Sequence, residues 1–291
     1  MSKPTIAFLG IGLMGDPQAR RLLEGGYSVT AWNRTRAKAE ALISDGAQVA
    51  ESAAEAASGV DIVITMLSDG PAVGDVLFEG GVAEVLKPGA IVIDMSSIRP
   101  AEAQDHAVRL KEAGVEHIDA PVSGGTVAAE AGTLSIMCGA EADVFARARP
   151  VLEAMGSPVH IGPSGTGQMA KLANQTIVGV TIGAVAEALN LCTRAGADPE
   201  RVREALINGF AKSRILELHG QRMIDRDFAV RGRSSLQLKD LRNARDAGGD
   251  HAAYMPLTER AIALYEELLT RQDPDHSGLL LAYEKRSGET A

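Results

Sequence analysis

The stretch "IAFLGIGLMG" at residues 6–15 decides the fold. A short apolar run reads as a buried strand, and Gly10, Gly12 and Gly15 then form G-x-G-x-x-G ahead of a helical segment with Pro17 in its first turn. In that setting each glycine has a task. The first permits a tight turn, the second lets the backbone approach a pyrophosphate, and the third allows close packing of helix on strand. Residues Gly10, Ile11, Gly12, Leu13, Met14 and Gly15 are thereby assigned to a dinucleotide, whose phosphates sit where unpaired helical N–H groups favour anions. A glycine-rich turn without a ligand has the same letters. The strand–turn–helix context separates the two.

Working outward, short β-rich runs alternate with Ala-rich helical stretches. The runs fall at residues 5–9, 28–32, 61–66, 91–94 and 117–120, with helical segments at 17–25, 36–45 and 101–113. That alternation predicts an α/β domain with a parallel sheet covered on both faces. Two further β-like runs, 134–138 and 159–161, bracket a helical stretch at 141–155. Beyond the Gly/Pro/Ser-rich residues 162–167 the chain reads as helix only: 168–195, 199–208, 236–247 and 257–269. The expected division is a nucleotide-binding domain over 1–162 and an all-α domain over 163–291.

A chain of 291 residues exceeds the usual single-domain size. Its net charge of −9 opposes nucleic-acid binding, which needs a basic surface. The two cysteines, Cys138 and Cys192, show no disulfide or C-x-x-C pattern, so a reducing, cytoplasmic setting is expected. No signal-peptide core is visible, and the longest apolar stretch, residues 176–185, reads as too short to cross a bilayer. The six histidines are scattered without metal-ligand spacing, and no G-x-S-x-G elbow occurs, so neither metal-dependent nor serine-hydrolase chemistry is expected.

The end of the second strand selects the nicotinamide. An acid there binds the ribose 2′-hydroxyl of NAD. This chain carries Asn33, Arg34, Thr35 and Arg36 instead. A guanidinium holds a 2′-phosphate in bidentate fashion, so NADP(H) is favoured with NAD(H) as the alternative. A solvated basic turn is the competing reading.

Four blocks together resemble the β-hydroxyacid dehydrogenases of the 3-hydroxyisobutyrate dehydrogenase and tartronate semialdehyde reductase (2-hydroxy-3-oxopropionate reductase) type. They are "GIGLMG" at 10–15, "DAPVSGGTVAAEAGTL" at 119–134, "GPSGTGQMAKLANQ" at 162–175 and "KDLRNA" at 239–244. "KLANQ", "VITML", "IDMSS" and "DHS" look closest to the tartronate semialdehyde reductases. The resemblance implies a Rossmann domain, an all-helical domain and a site between them. It implies Lys171 and Asn174 as the catalytic pair, Lys239 near the nicotinamide, and Leu67, Ser68 and Ser97 bordering nicotinamide and ribose. It implies a small anionic carboxylate substrate.

The residues make chemical sense of these roles. Ser123, Gly124 and Gly125 follow a strand; alone they read as an ordinary turn, and with the resemblance their successive N–H groups and the hydroxyl are expected to form a nest for a carboxylate. On a helix starting near residue 168, Lys171, Asn174 and Gln175 share a face. Read alone, that face is solvated. The apolar remainder of the helix points to burial. The resemblance, whose catalytic lysine and asparagine fall on Lys171 and Asn174 at this K-x-x-N spacing, implies that Lys171 protonates a carbonyl oxygen during reduction and steadies the developing alkoxide.

Two competing readings are an imine reductase, whose members usually carry Asp or Tyr in place of Lys171, and a non-catalytic cofactor-binding scaffold, which would have lost that lysine. Residues 209–214 and 231–233 are where substrate side groups are expected to be sensed. The Gly/Ala-spaced long helix suggests a homodimer or homotetramer.

Overall fold

Every residue of β1, Ile6–Leu9, is fully buried, and in the computed structural model this strand lies inside the sheet. The structure describes residues 3–270 and 272–288. β1 pairs in parallel with β2 (Val29–Trp32) on one side and β4 (Ile62–Thr65) on the other. β3 (Gln48–Val49) extends the β2 edge, and β5 (Ile91–Asp94) and β6 (Glu116–Asp119) extend the β4 edge, all parallel. Strands covered on both faces read as continuous apolar runs, as IAFL, IVIT and IVID do. Alternate side chains feed two separate cores. Ile6, Phe8, Ile62, Ile64, Ile91 and Ile93 pack on one face. Ala7, Leu9, Val63 and Val92 pack on the other.

The sheet is not parallel throughout. β7 (Val122–Ser123) and β6 both run antiparallel to β8 (Leu134–Gly139), through Val122–Ile136 and Asp119–Gly139. The cause is chain length. Residues 124–133 hold one short helix, Gly125–Ala131, and fall short of the dozen or so residues that a parallel crossover needs. β9 (Gly156–Gly162) then returns beside β8 in parallel, after the helix Ala142–Glu153.

The remaining elements differ from expectation in detail. The helical run at 36–45 divides into a helix, Arg36–Glu40, and a 3₁₀ turn, Ile43–Asp45, before a left-handed Gly46. The helix Arg214–Ile224, which the sequence pattern left unread, is capped by the Ser213 side chain on the Leu216 N–H. Beyond Gly162 the described residues contain helices and one isolated bridge, Arg233–Asp275, but no strand.

The chain divides into two compact units, Met1–Lys171 and Leu172–Ala291. The second has its own core, in which Ile182, Val185, Ala186 and Leu189 of the long helix Thr166–Arg194 pack on Leu241, Tyr265 and Leu279. By length and composition this helix is also apolar enough to cross a membrane. That corrects the expectation drawn from residues 176–185, which counted only the uninterrupted apolar run and not the whole helix.

Candidate active site

The glycine loop joins β1 to the helix Gly15–Glu24, at the carboxyl end of the parallel strands. Gly10 adopts φ +109°, and a side chain there would overlap the Met66 carbonyl oxygen. A Cβ on Gly15 would overlap the carbonyl oxygen of Gly10, so the helix can approach only without one. Gly12 is different. A Cβ there meets nothing within 4 Å, which leaves the backbone open to an approaching group. Two glycines close the loop and the third keeps its outer side bare, as a bound pyrophosphate requires. Leu13 is 70% exposed beside it.

Asn33 braces this loop. Its side-chain oxygen accepts the Ile11 N–H at 3.0 Å, and its amide donates to the Thr35 carbonyl at 2.9 Å. Arg36 is committed to Glu40 and Glu51, whereas Arg34 is exposed. Of the two arginines, Arg34 is therefore the one whose guanidinium is open to a ligand.

The neighbouring strand ends carry the next expected residues. Leu67, after β4, donates its N–H to the Ser96 hydroxyl at 2.9 Å, and Ser68 is exposed with its hydroxyl on Asp69. Ser97 lies between two anchored positions. Buried Gln168 donates to the Ser96 carbonyl at 2.8 Å and accepts the Ile98 N–H at 3.1 Å. One side chain thus ties the first turn of the long helix to the segment holding Ser97. Ser123 ends β7, and Gly124 follows at φ +135°, where a Cβ would crowd Ala128 at 2.5 Å. Only glycine permits the helix Gly125–Ala131 to start so tightly against the strand.

Lys171 lies three residues beyond Gln168, where the first unit ends, and is only 8% exposed. The solvated reading of this lysine does not hold. In the second unit, Asn174 donates to Gln175 at 2.8 Å, and Gln175 donates to Asp240 at 2.7 Å. Gln237 donates to the Gln175 carbonyl at 2.9 Å, and the Lys239 ammonium stands 3.4 Å from Asp240. The tertiary structure therefore joins Asn174 and Lys239, distant in sequence, through Gln175 and Asp240. Sequence reasoning missed Gln168 and Gln237 in these roles. The only available signal for Gln237 was its placement three residues before Asp240, on the same helix face.

Among the described residues no cluster of three or more His, Cys, Asp or Glu side chains is arranged to hold a metal ion. Asp94 and Asp119, at the ends of β5 and β6, are buried. Burial pushes Asp94 up to about 6, against the opposing hydrogen bonds from Ser96 and Thr65. Burial likewise pushes Asp119 up to about 7.

Comparison with known proteins bears on this arrangement. Residues 5–179 match the family model described as the NAD binding domain of 6-phosphogluconate dehydrogenase. Residues 165–283 match the one described as NAD-binding of NADP-dependent 3-hydroxyisobutyrate dehydrogenase. The chain is 41% identical to 2-hydroxy-3-oxopropionate reductase of Escherichia coli K12, over 96% of this chain and 97% of that protein. A solved structure of Mycobacterium tuberculosis 3-hydroxyisobutyrate dehydrogenase with L-serine superposes with a TM-score of 0.89 at 30% identity, covering 97% and 99% of the two chains. Imine reductase from Pseudomonas sp., at 22% identity and a TM-score of 0.62 over 97% and 100%, shares the fold alone. The chain belongs to the β-hydroxyacid dehydrogenase family of NAD(P)-dependent oxidoreductases.

Proposed function

We propose that the chain is a semialdehyde reductase, interconverting a small 3-hydroxy acid such as glycerate and its semialdehyde, 2-hydroxy-3-oxopropionate, with NADP(H) as the preferred cofactor. The observation that carries this reading is Lys171: a buried lysine three residues past the Gln168 anchor to the Ser96–Ile98 segment. A bound nicotinamide supplies the hydride. The chain's own residues do the rest. The N–H groups and hydroxyl of Ser123–Gly125 hold the substrate carboxylate. Asn174 orients the substrate, and Lys239 adds positive charge on the same hydrogen-bonded network. The Lys171 ammonium gives its proton to the carbonyl oxygen on reduction, and the amine takes it back from the alcohol on oxidation. The bare face at Gly12 and the exposed Arg34 support an NADP pyrophosphate and 2′-phosphate respectively.

The test is a steady-state panel of small 3-hydroxy acids, semialdehydes and cyclic imines with NADPH and NADH. Lys171→Ala is expected to lower kcat by roughly 10²–10⁴ while NADPH still binds. Arg34→Ala is expected to raise KM for NADPH about tenfold and that for NADH little, as loss of a charge-assisted hydrogen bond implies. Wild-type turnover in Lys171→Ala, or an unchanged NADPH/NADH ratio in Arg34→Ala, removes the corresponding assignment.

We further propose that the chain is a cytoplasmic homo-oligomer. Free Cys138 and Cys192 support a reducing location. Ala173, Ile177, Val180 and Ala184 follow one another at spacings of four, three and four along the long helix, and the exposed Glu187 and Leu191 continue the series, with Ile177 and Leu191 each 67% exposed. That alternating four-and-three spacing is the seam that packs helix on helix.

A further inference from the structure

Asp119 ends β6 with its side chain fully buried. One carboxylate oxygen accepts the Gly165 N–H at 2.7 Å, and the other accepts the Gln168 N–H at 2.8 Å. These N–H groups lie at and just before the first turn of Thr166–Arg194, where no carbonyl one turn earlier in the helix exists to receive them. A carboxylate at that end also complements the helix dipole. The surroundings are shaped to admit it. A Cβ on Gly139 would stand 2.5 Å from one carboxylate oxygen, and a Cβ on Gly167 would stand 2.8 Å from the other.

The hold extends further. Gln168, whose backbone Asp119 fixes, is the residue whose side chain ties down Ser96 and Ile98. Lys171 follows on the same helix face one turn later. A strand end, a helix start and the loop bearing Ser97 are therefore locked through two side chains, Asp119 and Gln168. Packing alone does not explain a carboxyl at this position, since burial and the neighbouring Asp94 both work against its ionised form.

We propose that Asp119 is a positioning residue: its two hydrogen bonds set the start of the long helix so that Lys171 meets the reacting oxygen, without touching substrate or cofactor itself. This rests on the reading of Lys171 as proton donor.

A double-mutant cycle tests it, with kcat and KM measured on 2-hydroxy-3-oxopropionate and NADPH. Asp119→Asn keeps the size of the side chain but sets an amide nitrogen against one of the two N–H donors. It is expected to lower kcat about tenfold to a hundredfold, the scale of a misplacement near 1 Å, with both KM values within about twofold. Amide hydrogen exchange should accelerate at residues 165–171 and not across the rest of the first unit. In a Lys171→Ala background the same substitution should change the residual kcat by less than about twofold. Gly139→Ala, which crowds the carboxylate from the other side, should reproduce the kcat loss if Asp119→Asn does not fold. An unchanged kcat in the folded single variants overturns the proposal. So does an equal loss with and without Lys171, or a matching rise in KM for NADPH. Wild-type turnover in Lys171→Ala alone instead refutes the Lys171 assignment, whatever Asp119 does.

Discussion

His117 in β6 shows what one residue costs when its polar atoms find no partner. Both ring nitrogens are buried with no hydrogen-bond partner among the described residues, and burial, with His106 nearby, lowers its pKa to about 3. The ordinary value in the unfolded chain is about 6.5. Between these values the unfolded chain binds a proton that the native state refuses, so stability falls as pH drops below about 6.5. At pH 5 the loss amounts to about 2 kcal/mol. His117→Leu should therefore raise Tm, and by more at pH 5 than at pH 7.5. An equal gain at both values would mean that the imidazole does not titrate this way. Sequence could not foresee this, since a histidine in a strand run carries no mark of its partners. Lys171 shows the converse. Its letters favour a solvated amine, and the apolar remainder of the helix together with the family motif anticipated the burial that the fold imposes.

At the scale of elements, the glycine loop separates two kinds of requirement that the sequence writes with one letter. Gly15 is glycine because the Gly10 carbonyl lies where its Cβ would be, and Gly12 is glycine although a Cβ there would meet no described atom beyond its chain neighbours within 4 Å. Gly15→Ala should lower Tm markedly, since overpacking costs roughly 1–3 kcal/mol. Gly12→Ala should leave Tm unchanged and weaken NADPH binding, read by the quenching of intrinsic fluorescence or by calorimetry. Equal effects of the two on Tm would dissolve the distinction. The parallel strands were legible because burial on both faces leaves uninterrupted Ile/Val runs. The antiparallel turn of β7 against β8 was not, because its cause is the short connection over 124–133 rather than any strand pattern.

For the whole molecule, the long helix carries the largest consequence. Its buried side belongs to the core of the second unit, while Ile177 and Leu191 stay exposed on the other side. Ile177→Glu should shift the species seen by size-exclusion chromatography with light scattering toward monomer. A wild-type monomer would remove the homo-oligomer reading. The sequence by itself determined the βαβ start, the three glycine positions and the helical character of the second half, since periodicity and backbone sterics are local properties. The tertiary structure alone decided which of those residues meet. Asp119 reaches Gly165 and Gln168, and Gln175 reaches Asp240, across separations of 46, 49 and 65 residues. No local pattern records such pairings, because a hydrogen bond between distant segments is chosen by how the elements pack.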